Sequence, residues 1–579
     1  MRDLDAEVTF RSALDRMLRA SIGRVTMGIS PVALAQAYQD WILHMAMSPG
    51  MQLDLTQKTI RKLAQLTIYA RRAAVDSDTG PYVQPLAGDH RFREPEWQNW
   101  PFNLYYQSFL LGQQWWYKAT TALRGPSQHH KNVTWFVAKQ LLDMGSPSNF
   151  PWTNPVVLKR TLEQGGMNLL RGWQNWIEDV ERQIACEKPA GAERFQVGKT
   201  VAVTPGKVVY RNRLIEVIQY EAATQEVSAE PILIVPAWIM KYYILDLSPT
   251  NSMVKYLVDQ GHTVFMISWK NPQAEDHDLG MDEYLRLGVA AALDTVTAIL
   301  PERKVHTVGY CLGGTLLSIA VAAMNHNGDQ RLQSMTLFAA QTDFSEAGEL
   351  LLFIDESQLT FLEDIMWDKG YLDNTQMAGA FQLLRSNDLI WSLIVREYML
   401  GERNGINDLM AWNADSTRMP YKMHKEYLRR LFLQNAFANG KYQVDDRTVA
   451  LSDIRIPIFA VATEKDHVSP WHSVYKIHLL TDTEVTFLLT NGGHNAGVVS
   501  EPGHPGRHYR ISSKVNGQPF LDPSTWFEHT PVQEGSWWPA WHAWLINHSS
   551  GKVPPPSMGN PKKGYVPLEN APGTYVLQA

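Results

Sequence analysis

Cysteine is nearly absent: Cys186 and Cys311 are the two in 579 residues. One pair cannot form a disulfide framework for a chain this long, so a reducing compartment, the cytoplasm, is expected. Long apolar runs are missing as well. No stretch approaches the roughly 18 apolar residues of a transmembrane helix. The longest candidates, 232–235 and 287–300, are short or amphipathic. The opening residues, MRDLDAEVTFRSALDRM, carry acidic side chains and no apolar core, so no secretory signal is expected there. Positive charge is not in excess either. Lys and Arg number 53 against 59 Asp and Glu, giving a formal net charge of −6. Nucleic-acid binding needs a concentrated basic surface, so it is not expected. Internal repeats and long low-complexity tracts are also lacking. So is any G-x-S-x-G, a sequence whose absence gains weight below.

What remains is a globular composition, 45% hydrophobic and 19% charged. The length exceeds one ordinary core, so two domains are expected. The first part, 1–200, reads as a helical N-terminal domain. VALAQAYQDWILHMAMS and QSFLLGQQWWYKATTAL place apolar residues at 3–4 spacing, and Asn154 before Pro155 makes a helix start. From 201 to 579 the texture changes. KVVYRNRLIEVIQY reads as two strands joined at Asn212. PILIVP (231–236), HTVFMISW (262–269), KVHTVG, QSMTLFAA (333–340), IPIFAVAT (456–463) and EVTFLLT (484–490) then read as strands. Between the first of these lie helices, SMVKYLVDQG ending at Gly261, 281–300 and LGGTLLSIAVAAM. Strand and helix in alternation mean a mostly parallel sheet covered on both faces. The alternation lapses at about 341–450, which reads as a helical cap inserted at the sheet edge. EVTFLLT is the last clear strand. SWWPAWHAWLINH follows as a helix before a Pro-rich exit. The 20 tryptophans read as helix packing, or more sharply as a surface that meets something apolar.

Gly309-x-Cys311-x-Gly313, between a strand and a helix, has the layout of a nucleophile elbow. The tight turn demands residues without side chains two before and two after the nucleophile. It also sets a thiol at a helix N-terminus, where the dipole favours thiolate. The alternative is a small buried residue in a Gly-rich turn. Two further groups follow in the order this fold requires. ATEKDHVSPW offers Asp466 straight after a strand, and LLTNGGHNAGVVS offers His494 in a glycine-lined loop after the next. His467 is the rival base, but it adjoins the acid and its side chain should leave in another direction. Cys186 lies outside any elbow and reads as an inert thiol.

With Cys311, Asp466 and His494 in place, the sequence resembles the polyhydroxyalkanoate synthases of the poly-3-hydroxybutyrate, class I-like type. The resemblance runs from about residue 90 onward. FREPEWQNWPF, SPSNFPWTNP, TPGKVVYRN, KYYILDLSP, QGHTVFMISWKNP, GYCLGGT, RSNDLIW, NDLMAWNADSTRMP and SWWPAWHAWL carry it. It implies an α/β-hydrolase fold and polymerisation of (R)-3-hydroxyacyl-CoA into polyester with release of CoA. It maps a Cys nucleophile onto Cys311 and a His base onto His494. Its Asp, Asp466, would activate the monomer's hydroxyl or merely orient the base. Leu312 and Trp238 are expected to supply the oxyanion hole through backbone N–H groups. Arg385, Trp412 and Asn435 match family motifs as substrate-pocket residues; Arg385 reads equally as a solvated charge and Trp412 as cap core. GYCLGG and APGTYVLQA lean toward short units such as 3-hydroxybutyryl. The resemblance further implies no metal and no cofactor, the CoA thioester being the substrate. As partners it implies the growing polyester chain, a granule surface, granule-associated proteins and a second copy in a homodimer. A Cys-dependent hydrolase, either thioesterase or depolymerase, and a catalytically silent granule protein stay open.

Overall fold

The computed structural model describes the chain apart from residues 1, 77, 87, 374–378, 380–383, 404, 416, 516 and 579, and describes 2–12 by backbone alone. The chain divides into two compact units. One holds Gly23–Ala190 and Met377–Gly405; the other holds Met1–Ile22, Gly191–Gln376 and Ile406–Ala579. A single cut at residue 200 therefore does not describe the chain. Helix α1 (Arg2–Val25) begins with the sheet-bearing unit, where Arg19 binds the Asp364 carboxylate at 2.7 Å. The segment 377–405 joins the helical unit instead. There the bare backbone of Gly172 lets a helix touch it: a Cβ at Gly172 would lie 1.9 Å from the Tyr398 carbonyl oxygen.

The helical unit is built from α2 (Pro31–Ala46), α3 (Pro49–Ala73), α4 (Phe102–Thr121), α5 (Gln128–Met144), α6 (Pro155–Glu163) and α7 (Met167–Ile184). Asn154 caps α6 as expected, its Oδ1 accepting from the N–H groups of Val156 and Val157. Phe92, Trp97, Tyr106 and Leu110 form a buried cluster under α4. Helix α7 is inverted in its amphipathicity. Asn168 and Asn175 donate to the carbonyls of Met399 and Glu397, while Leu170, Trp173 and Trp176 are exposed.

The other unit is organised by a ten-stranded sheet. Its strands are β1 (Gly206–Arg211), β2 (Ile215–Tyr220), β3 (Ile232–Val235), β4 (Val264–Trp269), β5 (Val305–Tyr310), β6 (Leu332–Phe338), β7 (Ile458–Thr463), β8 (Val485–Thr490), β9 (His508–Lys514) and β10 (Val532–Glu534). Their order is β1-β2-β4-β3-β5-β6-β7-β8-β9-β10. The six strands from β4 to β8 are parallel. Almost every residue in them is buried, which is why they read as unbroken apolar runs. The crossing of β3 and β4 and the parallel centre give the expected α/β-hydrolase fold. Asn212 turns β1 into β2 by accepting the N–H groups of Leu214 and Ile215 on its Oδ1.

Two expectations change. EVTFLLT is not the last strand, because β9 and β10 add antiparallel at that edge. Both are short and partly exposed, so neither carries an apolar run. The helix expected over 281–300 widens into a π-helical stretch at Tyr284–Ala290. Gly288 lies there against the Trp269 ring, where a Cβ would meet it at 2.6 Å. The insertion between β6 and β7 carries helices Glu356–Lys369, Asp408–Asn413 and Tyr421–Glu426, a π-helical stretch Tyr427–Leu433, and a hairpin of Tyr442–Val444 with Arg447–Val449. Among the described residues no helix is long and apolar enough to cross a membrane.

Candidate active site

Strand β5 ends at Tyr310, and helix α8 (Leu312–His326) begins two residues later. Cys311 stands between them at φ 53° and ψ −125°. A left-handed conformation at a side-chain-bearing residue costs on the order of 1–3 kcal/mol and persists only where its surroundings force it. They do so here. The Cys311 N–H donates to the Phe338 carbonyl of β6 at 2.9 Å, and its carbonyl accepts from the N–H of Gly314 at 2.9 Å. The flanking glycines are contact requirements. A Cβ on Gly309 would lie 2.3 Å from the Gly314 Cα, and one on Gly313 would lie 2.2 Å from the Val235 carbonyl oxygen. Cys311 is 8% exposed.

Leu312 is the first residue of α8, and among the described residues its N–H has no hydrogen-bond partner. That is the ordinary state of a helix N-terminus, and it leaves a donor with partial positive charge beside the sulfur. Across from it runs Pro236–Trp238, the exit of β3. The would-be Gly313 Cβ is 2.5 Å from the Pro236 carbonyl oxygen, so this exit and the elbow helix are in backbone contact. The Pro236 carbonyl also accepts the Trp269 indole N–H at 2.9 Å.

Asp466 and His494 follow β7 and β8, two parallel neighbours, so their loops emerge at the same sheet edge as Cys311. His494 Nδ1 lies 2.7 Å from Asp466 Oδ2. The carboxylate is fully engaged. Its Oδ1 accepts the N–H groups of Val468 and Ser469, each at 2.8 Å, and its Oδ2 also accepts the Thr463 hydroxyl at 3.3 Å. Burial works against a charged His494 ring. The Asp466 carboxylate and the Cys311 sulfur outweigh it and hold the ring well above the usual imidazole range. The Tyr310 ring lies 5.8 Å from that of His494, and its hydroxyl donates to Asn495 Oδ1.

One aromatic side chain of the insertion, Tyr427, lies close enough to feel the charge of the sulfur. Tyr427 is buried, and its hydroxyl is pushed well above the usual tyrosine value, first by burial and then by Cys311. Its ring stands edge-on to Trp238 at 6.0 Å and to Phe432 at 5.3 Å. Sequence reading did not single out Tyr427. The spacing of Tyr421, His424 and Tyr427 along one helical stretch was the available signal.

The three pocket residues expected from family motifs hold structural contacts. The Trp412 indole is buried and donates to the Lys241 carbonyl at 2.7 Å. Asn435 turns the chain at φ 46°, and its Oδ1 accepts the Phe344 N–H at 3.0 Å. Arg385 belongs to the helical unit and pairs with Asp388 one turn on. Cys186 is exposed. Among the described residues no cluster of His, Cys, Asp or Glu could hold a metal.

Comparison with known proteins adds an independent finding. Residues 88–257 match the family described as poly-beta-hydroxybutyrate polymerase (PhaC) N-terminus, and residues 9–51 match poly-beta-hydroxybutyrate polymerase N terminal. Residues 230–500 match the alpha/beta hydrolase fold. The chain is 40% identical to a poly(3-hydroxyalkanoate) polymerase of Methylorubrum extorquens, over 86% of this chain and 82% of that one. It is 38% identical to the corresponding polymerase subunit of Rhizobium meliloti, over 84% and 79%. It is 32% identical to that of Cupriavidus necator, over 93% and 90%.

Proposed function

Since the chain belongs to the poly(3-hydroxyalkanoate) polymerase family, we propose that it polymerises (R)-3-hydroxyacyl-CoA into polyester through an acyl-Cys311 intermediate, with 3-hydroxybutyryl-CoA as its preferred monomer. The observation that carries this reading is Cys311 in a strained elbow beside a buried His494–Asp466 pair. His494 carries the Cys311 proton as an imidazolium, and the thiolate left beside it adds to the thioester carbonyl carbon. The resulting oxyanion meets the free Leu312 N–H and a second backbone N–H from Ala237–Trp238. Such donors are each worth on the order of 3 kcal/mol. The carbon–sulfur bond to CoA then breaks, and the imidazolium protonates the departing sulfur. In elongation, the 3-hydroxyl of another unit gives its proton to His494 as its oxygen attacks an acyl thioester. An ester bond forms, the carbon–sulfur bond breaks, and the released sulfur recovers the proton.

The surroundings of Asp466 favour one role for it. A carboxylate has about four acceptor positions, and two N–H groups, a hydroxyl and the His494 ring already occupy Asp466. Its side chain is wholly buried. It therefore orients and charges His494, which serves as the base in both steps. Cysteine suits the chemistry, because exchange between two thioesters is nearly balanced. The acyl-enzyme then lasts long enough for a hydroxyl to compete with water, and the burial of Cys311 limits water's access.

The reaction so written needs no cofactor or metal beyond the CoA thioester. We assign the protein to the cytoplasm, working as a homodimer on polyester granules with granule-associated proteins. The exposed pair Trp173 and Trp176, stacked at 4.9 Å on the outward face of α7, supports contact with an apolar surface. The preference for a four-carbon unit is supported by the GYCLGG elbow and the APGTYVLQA segment.

Purified protein with (R)-3-hydroxybutyryl-CoA tests the reading. Thiol release should accompany insoluble polymer, and both should vanish in Cys311→Ala. Release of free 3-hydroxybutyrate without polymer would instead make the chain a thioesterase.

A further inference from the structure

The loop Pro236–Lys241 carries the second oxyanion donor of the reading above, and it has little secondary structure of its own to hold it. Its position is set by neighbours. On one side Gly313 meets the Pro236 carbonyl. On another, the insertion takes up its carbonyls: the Thr417 hydroxyl donates to Trp238 O at 2.9 Å, the Thr417 N–H to Ile239 O at 3.2 Å, and the Trp412 indole to Lys241 O at 2.7 Å. The loop ends in Lys241, whose side chain is buried with the residue only 3% exposed. An ammonium out of water must keep its acceptors or destabilise its surroundings.

One of those acceptors comes from 337 residues away. The Lys241 Nζ donates to the Gln578 carbonyl at 2.5 Å. The Gln578 side chain reaches a second loop at the same sheet edge, its Oε1 accepting the N–H of Asn271 at 3.0 Å, just beyond β4. Asn271 is 2% exposed, and its Oδ1 accepts the Arg418 N–H at 3.0 Å. Gln578 thus links the two loops that Trp412, Thr417 and Arg418 of the insertion also hold. The segment leading to it is firmly strapped down. The buried Glu216 accepts the N–H groups of Thr574 and Tyr575, both at 3.1 Å on its Oε2, and the Tyr575 hydroxyl donates to the Asn212 carbonyl at 2.6 Å. Val576 is buried between them.

We propose that Gln578 is a positioning residue for acyl transfer: by holding Lys241 and Asn271 it fixes the Ala237–Trp238 backbone where it meets the developing oxyanion. The inference rests on the functional reading of Cys311 as an acyl acceptor. Displacement of a donor by a fraction of an ångström weakens oxyanion stabilisation and leaves the thiolate itself untouched. Acylation of Cys311 and its alkylation should therefore respond differently, because alkylation by iodoacetamide forms no oxyanion.

Gln578→Leu keeps the bulk and the backbone carbonyl on Lys241 but removes the side-chain acceptor of Asn271, Gln578→Glu keeps that acceptor, and Lys241→Met removes the ammonium and with it the other contact. Each full-length variant is reacted with (R)-3-hydroxybutyryl-CoA, with p-nitrophenyl butyrate and with iodoacetamide. Acylation by both acyl donors should slow about tenfold in Gln578→Leu, in kcat with KM nearly unchanged. Alkylation should stay within about twofold of wild type. Gln578→Glu should restore acylation. Equal losses in acylation and alkylation would show a general structural role and overturn the proposal, as would no loss in either. If Lys241→Met fails to fold, a chain ending at Leu577, which loses both contacts of Gln578, takes its place beside Gln578→Leu, with the same tenfold slowing of acylation expected. A wild-type protein that is acylated by the ester but not by the thioester would defeat the functional reading, while the ester rates still judge Gln578.

Discussion

Strand β5 has a histidine near one end and Cys311 past the other, and the two ends of the sheet treat buried imidazole in opposite ways. At the carboxyl end, His494 faces the Asp466 carboxylate and the Cys311 sulfur and is held charged well above its usual range, against the pull of burial. At the amino end, His306 is fully buried between the hydroxyls of Ser334, at 2.7 Å, and Ser549, at 3.1 Å. Burial lowers it to about 4, with Glu230 opposing only in part. His262, beside it, is paired at 3.0 Å with another histidine, His542, and burial lowers it to about 3. Hydrogen bonds are present at both ends. What differs is a carboxylate in direct contact, so contact with fixed negative charge decides whether a buried ring is raised or becomes a neutral strut.

Breaking the charged pair should have the largest effect. Asp466→Asn keeps an oxygen for the N–H groups of Val468 and Ser469 but withdraws the charge from His494. Acylation, read as the first burst of CoA release, should fall roughly 10³-fold or more. Elongation, read as polymer formed per acyl-enzyme, should fall with it. A loss confined to elongation would show that Asp466 acts on the monomer's hydroxyl.

The amino end gives an intermediate effect, visible in stability. His306 and His262 are depressed in the folded state, so the stability they lend is complete above the ordinary imidazole value. It is lost as pH falls through about 6.5 toward 4 and 3. Each should add about 1.4 kcal/mol per pH unit to the slope in that window. The thermal midpoint of His306→Gln should therefore fall less steeply than that of wild type between pH 6.5 and 4.5. His494 carries the opposite sign. Its contribution is present below the ordinary value and is lost as pH rises through its raised one. Parallel slopes for wild type and His306→Gln would refute the neutral-strut reading.

Tyr310→Phe should do least. It removes one hydroxyl that donates to Asn495, next to His494, worth about 1 kcal/mol. The polymerisation rate should drop less than tenfold, checked by initial CoA release. A loss above a hundredfold would make the hydroxyl part of the proton path.

Much of the catalytic end was legible because its constraints are local. Gly309 precedes Cys311 for a steric reason that acts within five residues, the close approach of Gly314, although the partner of Gly313 is the distant Val235 carbonyl; Asp466 and His494 each follow a strand of plain apolar character. The central strands were legible for the same reason, being buried on both faces. The edge strands β9 and β10 were not, since half-exposed strands of three to seven residues carry little pattern. Trp412 and Asn435 illustrate another limit. A carbonyl of Lys241 and an N–H of Phe344 engage them, contacts that no spacing reveals.

Sequence alone therefore determined the elbow, the placing of Cys311, Asp466 and His494 each after a strand, and the alternation that lays down a parallel sheet. Steric demands and period-two or period-3.6 burial act over a few residues and are written in them. Tertiary structure decided the rest. It set which histidine is raised and which are lowered, which tyrosine comes near Cys311, and how Gln578 reaches Lys241 across 337 residues. Electric fields and desolvation depend on every group brought near in space. A linear chain specifies that neighbourhood only once it has folded.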